Sequence, residues 1–434
     1  MPHTPLSGGE TTVFDATRDA FSLPAPGLSE EHRRQFFVGN SFFNQNWLEA
    51  PASVETRDGL GPLFNARSCS ACHFKDGRSQ PPEAGQHLQT MLLRISVPGS
   101  GSGPVVPDPV YGDQLQTDAV PGANREADVL VSYREISRRF PDGEPYVLYE
   151  PRYEFRHLGY GPLSERLAVS GRVAPALVGL GLLEAVPESA LSASSDPDDR
   201  DRDGISGRVN HVPDVLRKRM APGRFGWKAE QPSVLQQSAS AFLGDMGLTT
   251  QLFPEENASV AQGALGALPS GGSPEVTPQV LHAISIYARV LAVPARRNDR
   301  DPRVMRGEDS FASLGCAACH VPTLKTEALA ELPELHAQEI HPYTDLLLHD
   351  LGDELSDRRP SFEALGNEWR TPPLWGVGLV SKVNGHTRFL HDGRARDLKQ
   401  AILWHGGEAS AARDRFMQSS SAERSELLLF LESL

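Results

Sequence analysis

The spacing of apolar residues along the chain predicts a few regular elements separated by long loops. Apolar positions recur at helical spacing over residues 30–47 (EEHRRQFFVGNSFFNQNW) and again over 277–293 (TPQVLHAISIYARVLAV), so each segment is predicted to form a helix. A further helix is predicted over 421–433 (SAERSELLLFLES), which begins Ser-x-x-Arg rather than with a full capping box. Apolar and polar residues alternate over 145–155 (PYVLYEPRYEF), which is typical of a strand or hairpin.

Glycine and proline are frequent in the rest of the chain. The 39 glycines and 35 prolines predict long ordered loops between short elements. Residues 1–30 are expected to wrap the surface, and residues 96–125 are expected to form a loop. The segment AVPARRND, at the end of the helix predicted over 277–293, is typical of a boundary between domains.

One stretch of the chain occurs twice in similar form. RVAPALVGLGLLEAV (172–186) resembles RTPPLWGVGLV (370–380), and each copy follows one of two Cys-x-x-Cys-His motifs. Chance similarity of apolar runs rich in glycine and proline is the alternative explanation. A chain of 434 residues is too long for one ordinary core, so we expect two related units. The predicted division is an extension over 1–30, a first domain with insertions over 31–294 and a second domain over 295–434.

Composition and charge narrow the possible functions. The chain is 39% hydrophobic and 23% charged, which is typical of a globular protein. Its net charge of −14 argues against general binding to nucleic acid, which needs a basic surface. No stretch approaches the ~18 consecutive apolar residues that a membrane helix needs, so no membrane span is expected. The opening MPHTPLSGGE lacks a basic region followed by an apolar run, so no signal peptide is expected in this sequence.

All four cysteines lie in the two Cys-x-x-Cys-His motifs. Paired cysteines of this kind bind zinc, form a redox disulfide or anchor a haem, and a zinc site usually draws its pairs from closer segments than these. Haem c uses the whole motif, because two thiols form thioethers to the porphyrin and the adjacent histidine binds the iron. We therefore predict two covalent haem c groups, with zinc as the alternative. The predicted anchors are Cys69, Cys72, Cys316 and Cys319, and the predicted iron ligands are His73 and His320. Haem c is attached outside the cytoplasm, which predicts a periplasmic protein.

The motifs after the second cysteine pair occur in a familiar order, RTPPLWGVGL and then FLHDGRARDLKQAILWH. This order resembles the C-terminal haem domain of bacterial di-haem cytochrome c peroxidases, and of the related enzyme that matures the tryptophan tryptophylquinone cofactor. Over nearly all of residues 40–410 the chain resembles the di-haem oxidoreductase family, often labelled thiol oxidoreductase or peroxidase. The stretches that carry this resemblance are PLFNARSCSACH, DPVYGDQLQ, RVAPALVGLGLLEAVPE, GRFGWKAEQPSVLQQSASAFLGDMG and HPYTDLLLHDLGDEL. The resemblance implies a mainly α fold of two cytochrome c-type haem domains with long loops and small β additions.

The resemblance also implies a ligand on the other side of the second iron. In the peroxidase relatives, the block that begins His-Asp-Gly ends in the sixth ligand of the electron-transfer haem. Laid on this chain from His391, the block places that position at His405. We predict a haem held by His320 and His405, with His391 and His386 as competing ligands.

The matching block of the first domain, RFGWKAEQPSVLQQSASAF, has no ligand at this position. Aligning Leu235 with Leu398 places Phe242 opposite His405, so we predict an open first iron held by His73 alone. The remaining candidate ligands of this iron are Met246, His157 and His211.

Polar residues near the open position are candidates for catalysis. The peroxidase relatives carry an acid there that moves a proton between the peroxide oxygens. In this chain that place is taken by Gln236 or Gln237, with Glu230 nearby. Glutamine can hydrogen-bond a bound substrate but cannot carry a proton, so the chain departs here from the peroxidase pattern. Trp227 is a candidate electron relay between the haems, with ordinary burial in the core as the alternative.

An acidic segment at 196–210 (DPDDRDRDGISGRVN) is a candidate calcium site. Asp199, Asp201 and Asp203 stand at alternate positions before a glycine, a spacing that lets a tight loop surround a hard cation with oxygen. Asn210 stands where an EF-hand loop has its glutamate, so this is not a full EF-hand. The alternative is a solvated turn in which the two arginines of the segment neutralise the acids.

Together these features predict a periplasmic, peroxidase-like di-haem oxidoreductase. We expect the second haem to exchange electrons with a small redox protein, and the first haem to react with a small substrate such as peroxide. One alternative is an electron-transfer cytochrome without catalysis, in which both irons are six-coordinate. The other is a zinc-stabilised binding module.

Overall fold

The computed structural model describes residues 3–99 and 106–434 of the chain. The helices are α1 Glu30–Asn44, α2 Cys69–Cys72, α3 Leu180–Glu184, α4 Glu188–Ser194, α5 Val234–Met246, α6 Pro278–Arg289, α7 Pro302–Ser313, α8 Val380–Asn384, α9 Leu398–Leu403, α10 Ser410–Gln418 and α11 Ser421–Ser433. The strands are β1 Leu63–Phe64, β2 Met91–Ser96, β3 Gln114–Leu115, β4 Asp118–Ala119, β5 Asp128–Arg139, β6 Pro145–Arg156, β7 Ala168–Val173, β8 His211–Asp214, β9 Arg219–Pro222, β10 Leu324–Lys325, β11 Glu339–Ile340, β12 Leu348–Asp350 and β13 Glu368–Arg370.

The strands form several small antiparallel sheets. β2 lies between β3 and β7, and the other strands pair as β1 with β4, β5 with β6, β8 with β9, β10 with β11 and β12 with β13. The β5–β6 hairpin is the longest, with Asp128 opposite Arg156 at its base. Its turn reaches the C-terminal part of the chain, because Glu144 forms ion pairs with Lys399 at 3.1 Å and with Arg424 at 2.9 Å.

The prediction of a mainly α fold with small β additions is wrong. Helices, counting short 3-10 turns, make up 30% of the structure, and strands with isolated bridges make up 18%. Much of the β structure lies between α2 and α3, inside the region where insertions are predicted. The physical reason is the period of these insertions: β5 and β6 are 12 residues each, and in both of them burial alternates along much of the strand.

The individual element predictions fare better. α1 and α6 confirm the helices predicted over 30–47 and 277–293 with shorter C-terminal ends, and β6 confirms the strand predicted over 145–155. α11 confirms the last helix, but the expectation that it lacks a full capping box is wrong. The cap is Ser420, one residue earlier than expected, and its side chain and that of Glu423 each bind the other's backbone.

Two segments predicted as loop or surface contain more structure than expected. The segment 96–125 includes β3 and β4, and its residues 100–105 lie outside the described part of the chain. The extension 1–30, of which residues 1–2 also lie outside it, does more than wrap the surface. Phe21 is fully buried in the main core, because the backbone of this extension bridges to the chain just after α6.

The same pair of crossing helices occurs twice, α1 with α6 and α7 with α11. We call the part of the chain through α6 the first half and the part from α7 onward the second half. At each crossing a glycine lets the backbones touch, since a Cβ at Gly39 would overlap a carbonyl oxygen of α6 and one at Gly307 would overlap a carbonyl oxygen of α11. Phe43 and Phe311 each follow one turn later, and each ring centroid lies 6.2 Å from that of the histidine in the nearby motif.

The segments around α5 and α9 match as well. Each helix follows an isolated β-bridge and a capping side chain, which is Ser233 for α5 and Asp397 for α9. In the repeated sequence, Gly179 and Gly376 both adopt a φ of 72°. The two halves therefore follow one plan, and the first carries the β insertions. The domain boundaries proposed from the sequence stay predictions, since the main hydrophobic core runs through both halves.

Within residues 3–99 and 106–434, no helix combines the length and the apolar character needed to cross a bilayer.

Candidate functional site

A cavity of about 670 Å³ runs through the interior and joins the two Cys-x-x-Cys-His motifs. Cys72 and His73 line it from the first half, and Cys316, Cys319 and His320 line it from the second. Of the predicted ligands and catalytic residues, it also collects His405, Trp227, Glu230, Gln236 and Gln237. The acidic segment at 199–203 does not contribute to it. The fold thus brings residues from distant parts of the sequence to one enclosed space.

The three predicted iron ligands share one hydrogen-bonding arrangement. Nδ1 of His73 donates to the carbonyl oxygen of Pro175 at 2.8 Å, Nδ1 of His320 to that of Tyr343 at 2.9 Å, and Nδ1 of His405 to that of Ala401 at 2.7 Å. A carbonyl oxygen can only accept, so the proton of each ring sits on Nδ1 and Nε2 keeps its lone pair. This is the tautomer that a metal-binding histidine needs.

Burial keeps these rings neutral. It lowers the pKa of His73 to about 4 and that of His320 to about 4, and it also lowers the pKa of His405. A neutral imidazole with a free Nε2 is a metal ligand rather than a cation. All three rings therefore have the charge state and the tautomer for iron ligation.

The competing candidate ligands are placed differently. His391 lines the cavity, but its ring stacks on Trp369 with centroids 3.7 Å apart, and burial lowers its pKa to about 3. His386 pairs with the carbonyl oxygen of Arg78 at 3.1 Å. The other candidates are away from the cavity: His157 and His211 are exposed and pair with Asp128 and Glu363, and Met246 is buried in the core.

The position that corresponds to His405 in the first half is Ala241, and the alignment that placed Phe242 there is wrong by one residue. The capping residues Ser233 and Asp397 set the register of α5 against α9, and counting from them pairs Ala241 with His405. Ala241 lines the cavity, whereas Phe242 is buried and packs edge-on against Trp47. The first site therefore has a methyl group where the second has an imidazole.

The two glutamines predicted for catalysis differ in whether their side-chain amides already form hydrogen bonds. Both donor and acceptor of the Gln236 amide are used, because Oε1 accepts from the backbone of Val215 and Nε2 donates to Pro213 and Gln231. Gln237 lines the cavity, and its side chain has no hydrogen-bond partner among the described residues. Gln237 is therefore available to a ligand, and Gln236 holds the local fold.

Glu230 is a fixed anion rather than an acid. Burial would raise its pKa, but Arg172, Arg94 and Arg359 outweigh this and hold the pKa at about 2. Its oxygens lie 3.6 Å from the Arg172 guanidinium and 3.0 Å from the Ser361 hydroxyl.

Asp245, at the C-terminal end of α5, is an acid that the sequence interpretation missed. It lines the cavity one turn beyond Ala241, and its charge reaches the thiols of Cys69 and Cys72. Burial raises its pKa to about 6, although a hydrogen bond from Gln114 Nε2 at 2.8 Å and the charge of Arg94 oppose this. The signal lay in the segment GDMG, where the methionine drew attention instead of the carboxyl beside it.

Trp227 lines the cavity as part of an aromatic cluster. Its indole nitrogen donates to the carbonyl oxygen of Val173 at 2.8 Å, and its ring meets His391 edge-on with centroids 6.5 Å apart. Since His391 stacks on Trp369, the three rings form a continuous aromatic path along the cavity wall.

The cavity also fits the acidic edge of a haem. Arg78 and Arg370 line it and hydrogen-bond to backbone carbonyls, and neither forms an ion pair with a carboxylate among the described residues. The Arg78 guanidinium also lies over the Trp227 ring, and Asp345 and Glu230 act on Arg370 only at longer range. Burial lowers the pKa of each to about 10, so both stay charged. A buried cation without an anion is costly, and haem propionates supply the missing charge. The donors and the free cations therefore suit haem at both motifs.

The zinc alternative has no ligand set in the parts of the chain that the structure describes. The four thiols are free, and burial raises the pKa of Cys69, Cys72 and Cys316 to about 12. Within residues 3–99 and 106–434, the group of three or more potential ligands that lie close enough for a metal is Asp199, Asp201 and Asp203. Calcium at these aspartates stays a prediction. The neighbouring Arg200 pairs with Asp196 and Asp198, and the three acids form no ion pair among the described residues but accept hydrogen bonds from backbone amides of their own loop.

A comparison with curated proteins finds no match. The family described as "di-haem oxidoreductase, putative peroxidase" matches residues 2–434. With a match over nearly its whole length, the chain belongs to this di-haem oxidoreductase family.

Proposed function

We propose that the protein is a periplasmic peroxidase-like enzyme in which the His73 site reacts with a peroxide and the His320 and His405 site transfers electrons. The family is a di-haem family, so two haems are the cofactors that the chain takes. In our proposal each haem is attached covalently through the two cysteines of one motif, and the electron donor is a small redox protein.

The difference between the two halves at one matched position carries the proposal. Where the second half has His405, the first has Ala241, so the first iron has no ligand from that position. Asp245 also lines the cavity one turn beyond Ala241 in α5, whereas the chain of the second half leaves the helical path at Gly406, just after His405. The second site thus has a second ligand, and the first has Asp245 and space for substrate.

When bound, the haem supplies the electrons that cleave the O–O bond of a peroxide. The residues of the chain position the peroxide and transfer its proton. Gln237 has a free amide that can bind a peroxide oxygen. Asp245, with a pKa of about 6, is an effective base and acid near neutral pH, and it can take a proton from one peroxide oxygen and return it to the other.

The residues around Asp245 keep it in place. Gln114 Nε2 lies within hydrogen-bonding distance of the Asp245 carboxyl, Asn65 Oδ1 and the backbone oxygen of Gly244, and these three acceptors share its two hydrogens. Arg94 approaches Gln114 at 3.3 Å and pairs with Asp113. The carboxyl is therefore anchored on one side by Gln114. In the same proposal Trp227, His391 and Trp369 carry electrons between the two haems.

The substitution Ala241→His tests whether the open position causes the reactivity. The new imidazole stands on the cavity lining at the position that the helix caps pair with His405. We expect the wild-type haem protein to show a high-spin fraction, to bind cyanide and to reduce peroxide. We expect the variant to lose the high-spin signal, cyanide binding and peroxide reduction together.

Ser238→His is the matched control, since Ser238 lies on the same helix outside the cavity lining. It should leave all three properties unchanged. A wild-type protein with two six-coordinate haems and no cyanide binding would support the alternative of a cytochrome that only transfers electrons.

A further inference from the structure

Apolar residues near the start of α5 both line the cavity and are accessible to solvent. Val215 and Phe362 line the cavity, yet they are 38% and 57% exposed. Pro213 also lines it, and Met220, 55% exposed, is opposite Pro213 in the β8–β9 pair. Directly paired residues of antiparallel strands project from the same face, so Met220 extends the apolar surface of Pro213. We call Pro213, Val215, Met220 and Phe362 the apolar collar.

Hydrogen bonds hold the collar in place. The backbone of Val215 donates to Gln236 Oε1 at 2.9 Å, and Nε2 of the same glutamine donates to the carbonyl oxygen of Pro213 at 2.9 Å. On the opposite side the Ser361 hydroxyl, next to Phe362, donates to Glu230 at 3.0 Å. The buried polar groups of the first site thus fix the position of the apolar ones at its entrance.

The arginines of the β8–β9 turn form ion pairs. Arg217 pairs with Asp214 at 2.9 Å and Arg219 pairs with Glu188 at 2.6 Å, whereas Lys218 between them has no ion pair among the described residues. The substrate class is therefore inferred from the apolar side chains of the collar and not from the charges of this turn.

The lining becomes polar inside the collar. Gln237, with its free amide, lies one residue from the glutamine that holds Val215, and Ala241 and Asp245 follow on the same helix. Hydrogen peroxide has no group that gains from an apolar entrance, whereas exposed apolar surface at a binding site indicates an apolar partner.

We propose that the substrate of the first site is an alkyl or aryl hydroperoxide, whose hydrocarbon group rests on the collar while its –OOH group reaches Gln237 and Asp245. This inference rests on the proposed peroxidase function. The reaction is ROOH + 2 e⁻ + 2 H⁺ → ROH + H₂O. The O–O bond breaks, the two electrons come from two molecules of a one-electron-reduced redox protein, and the protons come from solvent.

The test compares two peroxides in the haem-loaded wild type and in the double variant Val215→Ser, Phe362→Ser. We expect wild-type kcat/KM to be higher for cumene hydroperoxide than for hydrogen peroxide. In the double variant, kcat/KM for cumene hydroperoxide should fall about tenfold or more, since a lost apolar contact in a substrate pocket has an effect of this size. The value for hydrogen peroxide should change less than twofold. Phe14→Ser is the matched control, because Phe14 is exposed but lies outside the cavity lining.

A binding measurement separates this inference from the peroxidase function. Titration calorimetry of the resting protein with 2-phenyl-2-propanol, the alcohol product, should give a Kd that weakens about tenfold in the double variant. If no peroxide is reduced but the alcohol binds at the collar, the proposed function fails and the site for apolar groups stands. Equal loss with both peroxides, no binding of the alcohol, or a raised KM for the electron-donor protein alone would overturn the inference, the last by making the collar a protein-docking surface.

Discussion

Replacing Asp245 with asparagine removes the proton carrier of the first site with little change in shape. The asparagine side chain can still accept the hydrogen bond that Gln114 gives to Asp245. If Asp245 moves the proton between the peroxide oxygens, kcat/KM for peroxide should fall about 10²–10⁴-fold. The absorption spectrum and cyanide affinity of the haem protein should stay unchanged, because no iron ligand is altered.

The pH dependence of the rate gives a second measurement on the same variant. The carboxylate form must accept the first proton, so wild-type kcat/KM should fall as the pH drops through about 6. Asp245→Asn should lose this limb and give a flat profile between pH 5 and pH 8. Asp245→Glu retains a carboxyl group and should recover part of the rate together with a limb at low pH.

The free energy of unfolding provides a third measurement, in which Asp245→Asn should be favourable although it is unfavourable for activity. Burial raises the pKa of Asp245 from 3.8 to about 6 in the fold, so the ionised form is less favourable in the folded state than in the unfolded chain. At about 1.4 kcal/mol per unit, this destabilises the protein by up to about 3 kcal/mol above pH 6 and by almost nothing below pH 4. In urea unfolding, Asp245→Asn should therefore be more stable than the wild type at pH 8 and equal to it at pH 4.

The role of Asp245 is refuted if Asp245→Asn keeps kcat/KM within twofold of the wild type and retains the limb near pH 6. A loss of activity accompanied by a changed spectrum would assign Asp245 to haem placement instead of proton transfer.

Two further predictions concern the other sites. His405→Ala should leave the second iron with His320 alone, so the electron paramagnetic resonance spectrum of the oxidised protein should gain a high-spin signal; an unchanged spectrum would point to His391 as the ligand. Calcium should raise the melting temperature of the wild type by a few degrees, and Asp201→Asn should abolish the shift while Asp198→Asn keeps it; equal melting temperatures with calcium and with a chelator would remove the calcium site.

The sequence was most informative where chemistry depends on neighbouring residues. Each Cys-x-x-Cys-His motif contains the two predicted anchors and the predicted iron ligand side by side. His405 follows from its place in a short block with a fixed spacing. The structure adds that His73, His320 and His405 share one tautomer, but the carbonyl partners of His73 and His320 lie outside their motifs. Tyr343 takes the part in the second half that Pro175 takes in the first, and no pattern in the chain announces this.

The error at Phe242 had a local cause. Val234 and Leu235 are adjacent and apolar, so either can be aligned with Leu398 by sequence alone. The helix caps decide the register, because Ser233 and Asp397 occupy the same position before their helices. The fold class failed for a different reason: the resemblance described the shared helical plan, and the alternating strands of the insertions lay outside it.

The glycine crossings show why two copies of one plan could take separate roles. At Gly39 and Gly307 the packing is between backbones, so any side chain there would push the helices apart. Ala241 and His405 line the cavity instead of a helix crossing. The two halves thus share close backbone contacts at the crossings and differ in the side chains that they present to the cavity.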